Sequence, residues 1–480
     1  MTFWKRHEFF INGDWVDASD AKSMDVINPA TEQPIGSIAM GDAKTIDAAV
    51  AAAKAAFPSF SRTTVAERKE LLRSILSVYR QRRDEVAHAI QLELGAPRHL
   101  AYGAQTAVGE GHLDGFLQAL GTFEFEETLL NGDLVIREPI GVCGLITPWN
   151  WPINQIALKV LPALAAGCTM VLKPSEFTPF NAMLYAEILA EAGVPKGVFN
   201  LVNGEGPEVG AALSRHPDVA MMSFTGSSRA GAAVSRDAAE GAKKVALELG
   251  GKSPNLVFAD SDLSGAVKRG VRHMFNNTGQ SCNAPSRMLV ERSVYDEAKE
   301  IALKTAQQQQ VGDPDEAGRH IGPLVNHIQF DRVQELIKAG MDEGATVLIG
   351  GLGKPDGMNE GYFVKPTIFV DVDNEMRVAR EEIFGPVLCM IPFDEEDEAI
   401  SIANDTEYGL AAYVQTEDQD RAMRVARQLR AGMVHINGSD IEYGTPFGGY
   451  KKSGVGREGG TFGLEEFLEV KAIARPKETA

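Results

Sequence analysis

Cysteine is scarce in this sequence, and its few copies follow no familiar spacing. Only four cysteines occur in 480 residues, and no two of them are arranged as C-x-x-C. The nine histidines form neither an H-x-x-x-H pair nor an H-x-E motif. Disulfide frameworks and zinc sites depend on such spacings. We therefore predict a fold without disulfides and without a bound metal.

Positive charge is also in deficit. The chain has 47 lysines and arginines against 66 aspartates and glutamates, a formal net charge of −19. This balance argues against nucleic acid and anionic membranes as partners. Residues 1–8 carry charges and a histidine where a signal peptide needs an apolar run. We predict a cytoplasmic protein.

A long apolar segment suited to a membrane is missing as well. Residues 139–158 are uncharged and long enough to span a bilayer, but they include three prolines. Proline removes a backbone donor and breaks a helix interior, so this stretch cannot be one spanning helix. No membrane partner is expected.

What the sequence does contain is a rhythm of alternating strands and helices. Its length predicts two to four domains. The part before residue 134 is predicted to be mostly helical. Beyond it, helical stretches separate short β-rich runs at 141–146, 170–173, 199–202, 219–224 and 245–249. This order predicts a parallel, doubly wound α/β sheet, and a second α/β series follows from about residue 251 to 441.

Polar clusters follow three of the predicted strands, at 147–150, 173–176 and 225–228. Parallel sheets bind ligands at the carboxyl ends of their strands, so these clusters indicate a nucleotide site. Gly226 and Gly231 bracket a turn that opens a helix, where free N–H groups favour phosphate. A plain glycine turn explains that pattern equally well. Lys173 and Glu176 suit a phosphate or hydroxyl and a ribose, although solvated loop charges are the alternative.

Cys282 stands out because its surroundings give it no structural role. It lies in a Gly/Ser/Asn loop, whereas the other three cysteines lie in apolar runs. A loop thiol is better explained as a nucleophile than as a small hydrophobe. Glu248, inside an apolar strand, suits a general base, or else faces outward from the strand. Asn150, held between two tryptophans, suits either a turn or an oxyanion donor.

These motifs together resemble those of the aldehyde dehydrogenase superfamily, specifically its non-acylating, NAD(P)-dependent branch. The likeness runs nearly end to end, and it is carried by residues 11–13, 148–150, 173–176, 224–227, 247–252, 279–282, 382–386 and 446–449. Each motif alone is weak, but together they stand in family order at family-like spacing.

The resemblance implies roles for individual residues. Cys282 matches the nucleophile, Glu248 the general base that hydrolyses a thioester, and Asn150 the amide that stabilises an oxyanion. Lys159 matches a lysine near the active site, and we leave its role open. The cofactor contacts implied are Ile146, Trp149, Lys173, Ser175, Glu176, Gly226, Ser227, Gly231, Leu249, Glu382 and Phe384. The substrate-pocket residues predicted are Trp151, Ile441, Tyr443 and Phe447.

The resemblance also implies an architecture and a reaction. Residues 1–120 and 140–250 would form an NAD-binding domain, 251–450 a catalytic domain, and 121–139 with 451–480 a β oligomerisation arm of a homodimer or homotetramer. The expected reaction oxidises an aldehyde to the free acid. Glu176 would repel a 2′-phosphate, so NAD is favoured while NADP stays possible. A thiol-dependent esterase or hydrolase without a redox role is the alternative function.

Overall fold

The structure is a computed structural model that describes residues 4–476. Residues 1–3 and 477–480 lie outside the described residues. They are the ends of the predicted NAD-binding segment 1–120 and of the predicted arm segment 451–480. Within the described chain, no helix is both long and apolar enough to cross a bilayer.

The strands are β1 (Trp4–Arg6), β2 (Glu8–Ile11), β3 (Asp14–Asp17), β4 (Lys22–Asn28), β5 (Gln33–Met40), β6 (Glu126–Thr128), β7 (Leu134–Pro139), β8 (Val142–Ile146), β9 (Thr169–Lys173), β10 (Phe199–Leu201), β11 (Met221–Thr225), β12 (Lys244–Glu248), β13 (Pro254–Val257), β14 (Arg287–Glu291), β15 (Thr346–Ile349), β16 (Thr367–Val370), β17 (Val387–Phe393), β18 (Ala411–Gln415), β19 (Met433–Ile436), β20 (Gly454–Val455) and β21 (Leu468–Ile473).

The α-helices are α1 (Ala43–Phe60), α2 (Val65–Leu94), α3 (Arg98–Leu100), α4 (Thr106–Thr122), α5 (Pro152–Ala166), α6 (Pro179–Glu191), α7 (Ala211–Arg215), α8 (Ser228–Ala239), α9 (Leu263–Phe275), α10 (Tyr295–Gln307), α11 (His327–Asp342), α12 (Arg377–Arg380), α13 (Glu396–Asn404), α14 (Gln419–Gln428) and α15 (Gly460–Glu466).

The first large sheet has the order β20-β12-β11-β8-β9-β10-β2-β3, and strands β12 to β10 of this order run parallel. Successive side chains of a strand point to opposite faces. Along β8, Cys143 and Leu145 join one apolar core, while Val142 and Ile146 join another. Both faces of the sheet are therefore covered, which confirms the doubly wound α/β fold.

The register of this sheet brings the predicted polar clusters to one edge. Ile146 at the end of β8 pairs with Lys173 at the end of β9. Ile146 also pairs with Phe224, and the neighbouring Thr225 pairs with Glu248 at the end of β12. The segments that follow these strands consequently leave the sheet side by side.

The uncharged stretch that resembles a membrane span contains helix α5. Pro152 occupies the first turn of this helix, where its missing N–H costs no hydrogen bond. Every residue from Pro152 to Ala166 except Asn154 is buried. The apolar composition reflects a helix that packs inside the protein on all sides.

The second large sheet has the order β15-β16-β17-β14-β13-β18-β19 and is parallel except for β15. Cys282 lies in the connection between α9 and β14, near the middle of this sheet. A third sheet, β21-β7-β6, is antiparallel and leaves one side of β21 without a partner strand in the described chain.

Two expectations from the sequence need correction. The region before residue 134 is not mostly helical at its start, because β1 to β5 occupy residues 4–40. There, Asn12 and Gly13 have positive φ and form the tight turn between β2 and β3. In addition, β20 pairs with β12 in the first sheet, although residues 451–480 were assigned to the arm. Two residues are too few to leave a strand pattern in the sequence.

Candidate active site

The loop that carries Cys282 begins where helix α9 ends. Asn277, Thr278 and Gly279 have φ of 50°, 59° and 71°, in the left-handed region that residues with a side chain seldom adopt. The Asn277 side chain donates hydrogen bonds to the carbonyl oxygens of Asn150 (2.8 Å) and Gln280 (3.2 Å). The strained turn is thus tied to the segment that follows β8.

Cys282 differs from the other cysteines in exposure. Its side chain is half-buried, whereas Cys143, Cys168 and Cys389 are buried. The thiol packs with Ile441 and Phe447 against one apolar cluster, which consists of Leu410, Ala411, Tyr413 and Met433. A partly exposed thiol at the edge of an apolar cluster can meet a small hydrophobic substrate.

Asn150 is only 3% exposed and is fixed by hydrogen bonds on both its side chain and its backbone. Its Nδ2 donates to the Gln280 carbonyl at 3.1 Å. Gln105 Nε2 donates to the Asn150 carbonyl, also at 3.1 Å. Trp151 is fixed nearby, because its Nε1 donates to Ser281 Oγ at 2.8 Å. The segment around Cys282 and the end of β8 therefore form one hydrogen-bonded unit.

Glu248 ends β12 and is buried, with no hydrogen-bond partner for Oε2 in the described structure. Burial raises the pKa of Glu248 well above its usual range, and the nearby Glu458 carboxyl raises this pKa further. Lys159 acts in the opposite direction. Glycine is needed at position 448 because a Cβ there would lie 2.5 Å from Glu248 Oε1.

Lys159 and Glu458 form a buried ion pair beside Glu248. Lys159 Nζ lies 2.6 Å from Glu458 Oε1 and donates to Ser223 Oγ at 3.2 Å. Burial raises the pKa of Glu458, and Lys159 counteracts this rise. A buried charge is costly unless it is paired, so Lys159 accounts for the second carboxyl in this region.

The groups around Cys282 disfavour its thiolate. Burial raises the pKa of the Cys282 thiol, and the carboxyl groups of Glu382 and Glu248 raise it further. Backbone N–H groups of Asn283 and Cys282 lower it by smaller amounts. A thiol in this setting needs added positive charge or a base before it can attack.

Glu382 and Phe384 reach across from the second sheet to the end of the first. Glu382 Oε1 accepts the N–H of Gly251 at 2.9 Å, and burial raises the pKa of Glu382 to about 7. A Cβ at Gly250 would collide with Glu382, which explains this glycine. Phe384 makes an edge-to-face contact with Trp149, with ring centroids 5.3 Å apart.

The predicted nucleotide residues line up along the edge of the first sheet. Lys173 Nζ lies 2.9 Å from Glu176 Oε2, so this cation and carboxylate form one pair. Ser227 caps helix α8 by accepting the N–H of Ala230. A Cβ at Gly231 would lie 2.6 Å from Leu249, so glycine lets α8 approach the chain beyond β12. The positive end of α8 thereby faces the strand ends, which suits a diphosphate.

A cavity of about 490 Å³ lies beside the segment that carries Cys282. Its walls include Ile441, Tyr443 and Phe447, together with Asn283, the residue after Cys282. Its polar wall includes His112, whose Nε2 lies 2.7 Å from Asn154 Oδ1. Burial lowers the pKa of His112 to about 4, so this ring is neutral at neutral pH. We call this space the inner cavity.

Comparison with known proteins decides the family. The model of the aldehyde dehydrogenase family matches residues 15–473. The 3-succinoylsemialdehyde-pyridine dehydrogenase of a Pseudomonas species is 55% identical over 467 residues, which cover 97% of this chain and 98% of that protein. This chain belongs to the aldehyde dehydrogenase family.

Solved structures of other aldehyde dehydrogenases agree. A mutant of aldehyde dehydrogenase C from Pseudomonas syringae, in complex with NAD+ and octanal, is 49% identical, with a TM-score of 0.96 and coverage of 98% of this chain and 96% of that one. The aldehyde dehydrogenase of Mycobacterium tuberculosis complexed with NAD+ is 40% identical, with a TM-score of 0.97 and full coverage of both chains. The protein is therefore an NAD(P)-dependent aldehyde dehydrogenase.

The structure of this aldehyde dehydrogenase gathers most of the residues singled out from its sequence. The Asn150 side chain is bonded to Gln280 in the segment that carries Cys282, and the carboxyl of Glu248 is close enough to raise the pKa of the Cys282 thiol. Trp151 contacts the loop at Ser281 and is not among the residues that line the inner cavity. Among residues 4–476 no cluster of histidine, cysteine or carboxylate side chains could hold a metal ion.

Several residues of the site were not predicted from the sequence. Gln105 and Asn277 both hold the Asn150 carbonyl, and Glu458 completes the buried charges around Glu248. His112 and Asn154 form the polar wall of the inner cavity. The positive φ of Asn277 could have been predicted, because asparagine tolerates the left-handed conformation. Its hydrogen bond to Asn150 could not, because the two residues are remote in sequence.

Proposed function

We propose that this aldehyde dehydrogenase oxidises an aldehyde to the free acid through a covalent intermediate on Cys282. The aldehyde carries no anionic group near its carbonyl carbon. The observation that carries the proposal is the arrangement at the nucleophile loop, which is the segment of residues 276–286 that contains Cys282. The half-buried Cys282 thiol, the fixed Asn150 amide and the buried Glu248 carboxyl with one unpaired oxygen all act on this loop.

In the first step the Cys282 thiol gives its proton to water, and the sulfur bonds to the aldehyde carbon while the electron pair of the carbonyl bond moves to oxygen as an oxyanion. The Asn150 side chain uses one N–H to bind Gln280, and its second N–H is free to stabilise that oxyanion. The Cys282 backbone N–H would serve as the other donor. Because this amide is already fixed, little reorganisation is needed when charge develops.

The residues of the first sheet's edge fit a dinucleotide, and NAD(P)+, when bound there, would supply the hydride acceptor and a positive ring near the thiol. Lys173 and Glu176 would hold the adenosine ribose, the start of α8 the diphosphate, and Glu382 the second ribose. Glu176 favours NAD over NADP, since a carboxylate repels a 2′-phosphate.

In the last step Glu248 takes a proton from water, the resulting hydroxide attacks the thioester carbon, and the C–S bond breaks to release the carboxylic acid and the Cys282 thiolate. Burial holds the pKa of Glu248 high and makes it a stronger base than a solvated carboxylate. The Lys159–Glu458 pair lies next to it and offers a route for the proton away from the site.

We also propose a homodimer or homotetramer built through the arm. Strand β21 is the edge of the third sheet, and Val470 on it is 68% exposed. An exposed edge strand with apolar side chains is a ready template for pairing with another chain. Size measurement by light scattering tests this part separately.

Replacing the nucleophile tests the central claim. Cys282→Ala should lower NADH formation from octanal by at least about 10³-fold, because no other group can form the covalent intermediate. Cys389→Ala removes a buried thiol of the second sheet and should stay within about twofold of the parent enzyme. Full NADH production by Cys282→Ala would overturn the mechanism.

A further inference from the structure

A second large cavity lies beside the inner cavity, and we call it the outer cavity. Its volume is about 710 Å³, and its walls come from residues 97–100, from the end of α9 with residues 276–278, and from residues 308–322. Asp440 lines both cavities. The two spaces are therefore neighbours, although their walls are otherwise different.

The outer cavity is rich in groups that attract anions. Arg272 and Arg319 line it, and within residues 4–476 neither guanidinium lies within salt-bridge distance of a carboxylate. His320 also lines it, and its Nε2 is buried without a hydrogen-bond partner. Burial lowers the pKa of His99, and the nearby His320 and Arg319 lower it further. The Arg319 guanidinium thus places positive charge beside His99, and Asp440 is the one carboxylate among the residues that line this cavity.

The inner cavity has the opposite character. Asp440 and Glu442 line it, and no lysine or arginine is among its lining residues. Two histidines, His112 and His435, also line it, and His112 is neutral near pH 7 because burial lowers its pKa to about 4. Two carboxylates without a lysine or arginine disfavour an anionic group there, whereas two arginines outnumber the single carboxylate, Asp440, among the lining residues of the outer cavity. On a chain with a net charge of −19, such a local excess of cations is distinctive.

We infer that the outer cavity is an anion-binding subsite that takes a carboxylate or phosphate group between Arg272, Arg319 and His320. The anion has two possible sources. One is the far end of a long aldehyde whose carbonyl reaches Cys282, and this source depends on the proposed function. The other is a separate small anion, and that source does not depend on it.

The subsite has a direct connection to the nucleophile loop. Asn277 and Thr278 line the outer cavity, and they are the strained residues at the start of that loop. The Asn277 side chain also holds the Asn150 carbonyl. An anion in the outer cavity would therefore contact the same segment that positions the nucleophile and the oxyanion donor.

The first experiment uses inorganic phosphate as the free anion. Phosphate is titrated calorimetrically into enzyme saturated with NAD+, so that the diphosphate positions of the cofactor are already filled. In the double variant Arg272→Gln/Arg319→Gln, the phosphate Kd should rise about tenfold or more. Arg427→Gln is the matched control, because Arg427 is exposed on α14 and lines neither cavity.

The second experiment uses the substrate as the source of the anion. The ratio of kcat/KM for 8-oxooctanoate to that for octanal is compared among the parent enzyme, the double variant and the Arg427→Gln control. A fall of about tenfold in this ratio, confined to the double variant, assigns the subsite to the carboxylate end of the substrate. Octanal turnover itself should stay within about twofold.

The two experiments separate the possible outcomes. A loss in either one, specific to the double variant, supports the subsite and identifies the source. If neither phosphate affinity nor the substrate ratio differs between the double variant and Arg427→Gln, the inference is wrong. Should the parent enzyme oxidise no aldehyde, the proposed function fails, while phosphate binding still decides whether the outer cavity holds anions.

Discussion

Glu93 and Glu248 are both buried carboxylates, yet they are held in opposite ways. Glu93, near the end of α2, accepts the backbone N–H groups of Phe180 (2.7 Å) and Asn181 (3.0 Å). These groups belong to the first turn of α6, whose N-cap residue Thr178 makes no side-chain capping bond. Glu93 thus replaces the missing cap from another helix, because each of its two oxygens accepts a backbone N–H.

Glu248 has no comparable set of donors. Its Oε2 is buried without a partner, and its carboxyl faces the Glu458 and Lys159 charges and the Cys282 thiol. Burial raises the pKa of both glutamates, that of Glu93 to about 8. Leaving a buried polar atom unsatisfied costs stability. Glu93 thus has a structural role as the cap of α6, whereas the unsatisfied carboxyl of Glu248 supports the proposed role of Glu248 as a base.

The largest expected effect is on turnover, in Glu248→Gln. Steady-state NADH formation should fall by about 10²- to 10⁴-fold, because the amide cannot take a proton from water. Hydride transfer should survive, so a burst of NADH close to one per active site should precede the slow phase. The apparent free energy of unfolding should not decrease, since a neutral group replaces a buried, unsatisfied carboxyl.

Stopped-flow absorbance and urea unfolding measure these two quantities on the same preparation. A variant that lost the burst but kept the parent's steady-state rate would show that Glu248 acts before hydride transfer. The distinction between the two glutamates would then need another explanation.

The next effect is on stability, in Glu93→Ala. Two backbone N–H groups and the Asn181 amide lose their acceptor inside the protein, so the apparent free energy of unfolding should fall by about 3 kcal/mol. Glu93→Gln keeps one acceptor oxygen and should lose about half as much. Turnover per folded enzyme should stay within about twofold for both variants.

Urea unfolding and active-site titration test this pair of variants. If Glu93→Ala lost turnover without losing stability, the structural role of Glu93 would be wrong. Its carboxyl group would then take part in the reaction although its oxygens are satisfied.

The fold was predictable where the chain repeats one local pattern. Short apolar strands alternate with helices from β8 to β12, and both periods are visible in the residues themselves. The greater exposure of Cys282 was predictable because its loop composition differs from that of the other cysteines. The strands at the start of the chain were not predicted, because β2 and β3 are too short to show a clear period. The Asn12-Gly13 turn is the local signal for the hairpin between them.

The partners of the site residues could not be predicted, because they come from distant segments. Gln105 and Asn277 reach the Asn150 carbonyl across 45 and 127 positions, and Glu458 reaches Lys159 across 299. No local pattern marks such contacts. They arise from packing between sheets, and the sequence shows them only after the fold is known.

The smallest expected effect is a pH shift, in Lys159→Met. Lys159 lowers the pKa of both Glu248 and Glu458, so removing its charge should raise both values. Glu248 must be ionised to act as a base. The rate after the burst should therefore rise with pH along a limb whose midpoint lies about one unit higher than in the parent enzyme. The rate at low pH falls, and the plateau at high pH is kept.

The post-burst rate with octanal, measured across pH, gives this midpoint directly. Lys54→Met is the control, because Lys54 makes an exposed pair with Asp218 and should leave the profile unchanged. Lys159→Met also leaves Glu458 without its cation, so some loss of stability is expected in either case. An unshifted midpoint together with that loss would show that the buried pair only supports the packing around Glu248. A shifted midpoint would show that Lys159 sets the charge of the base itself.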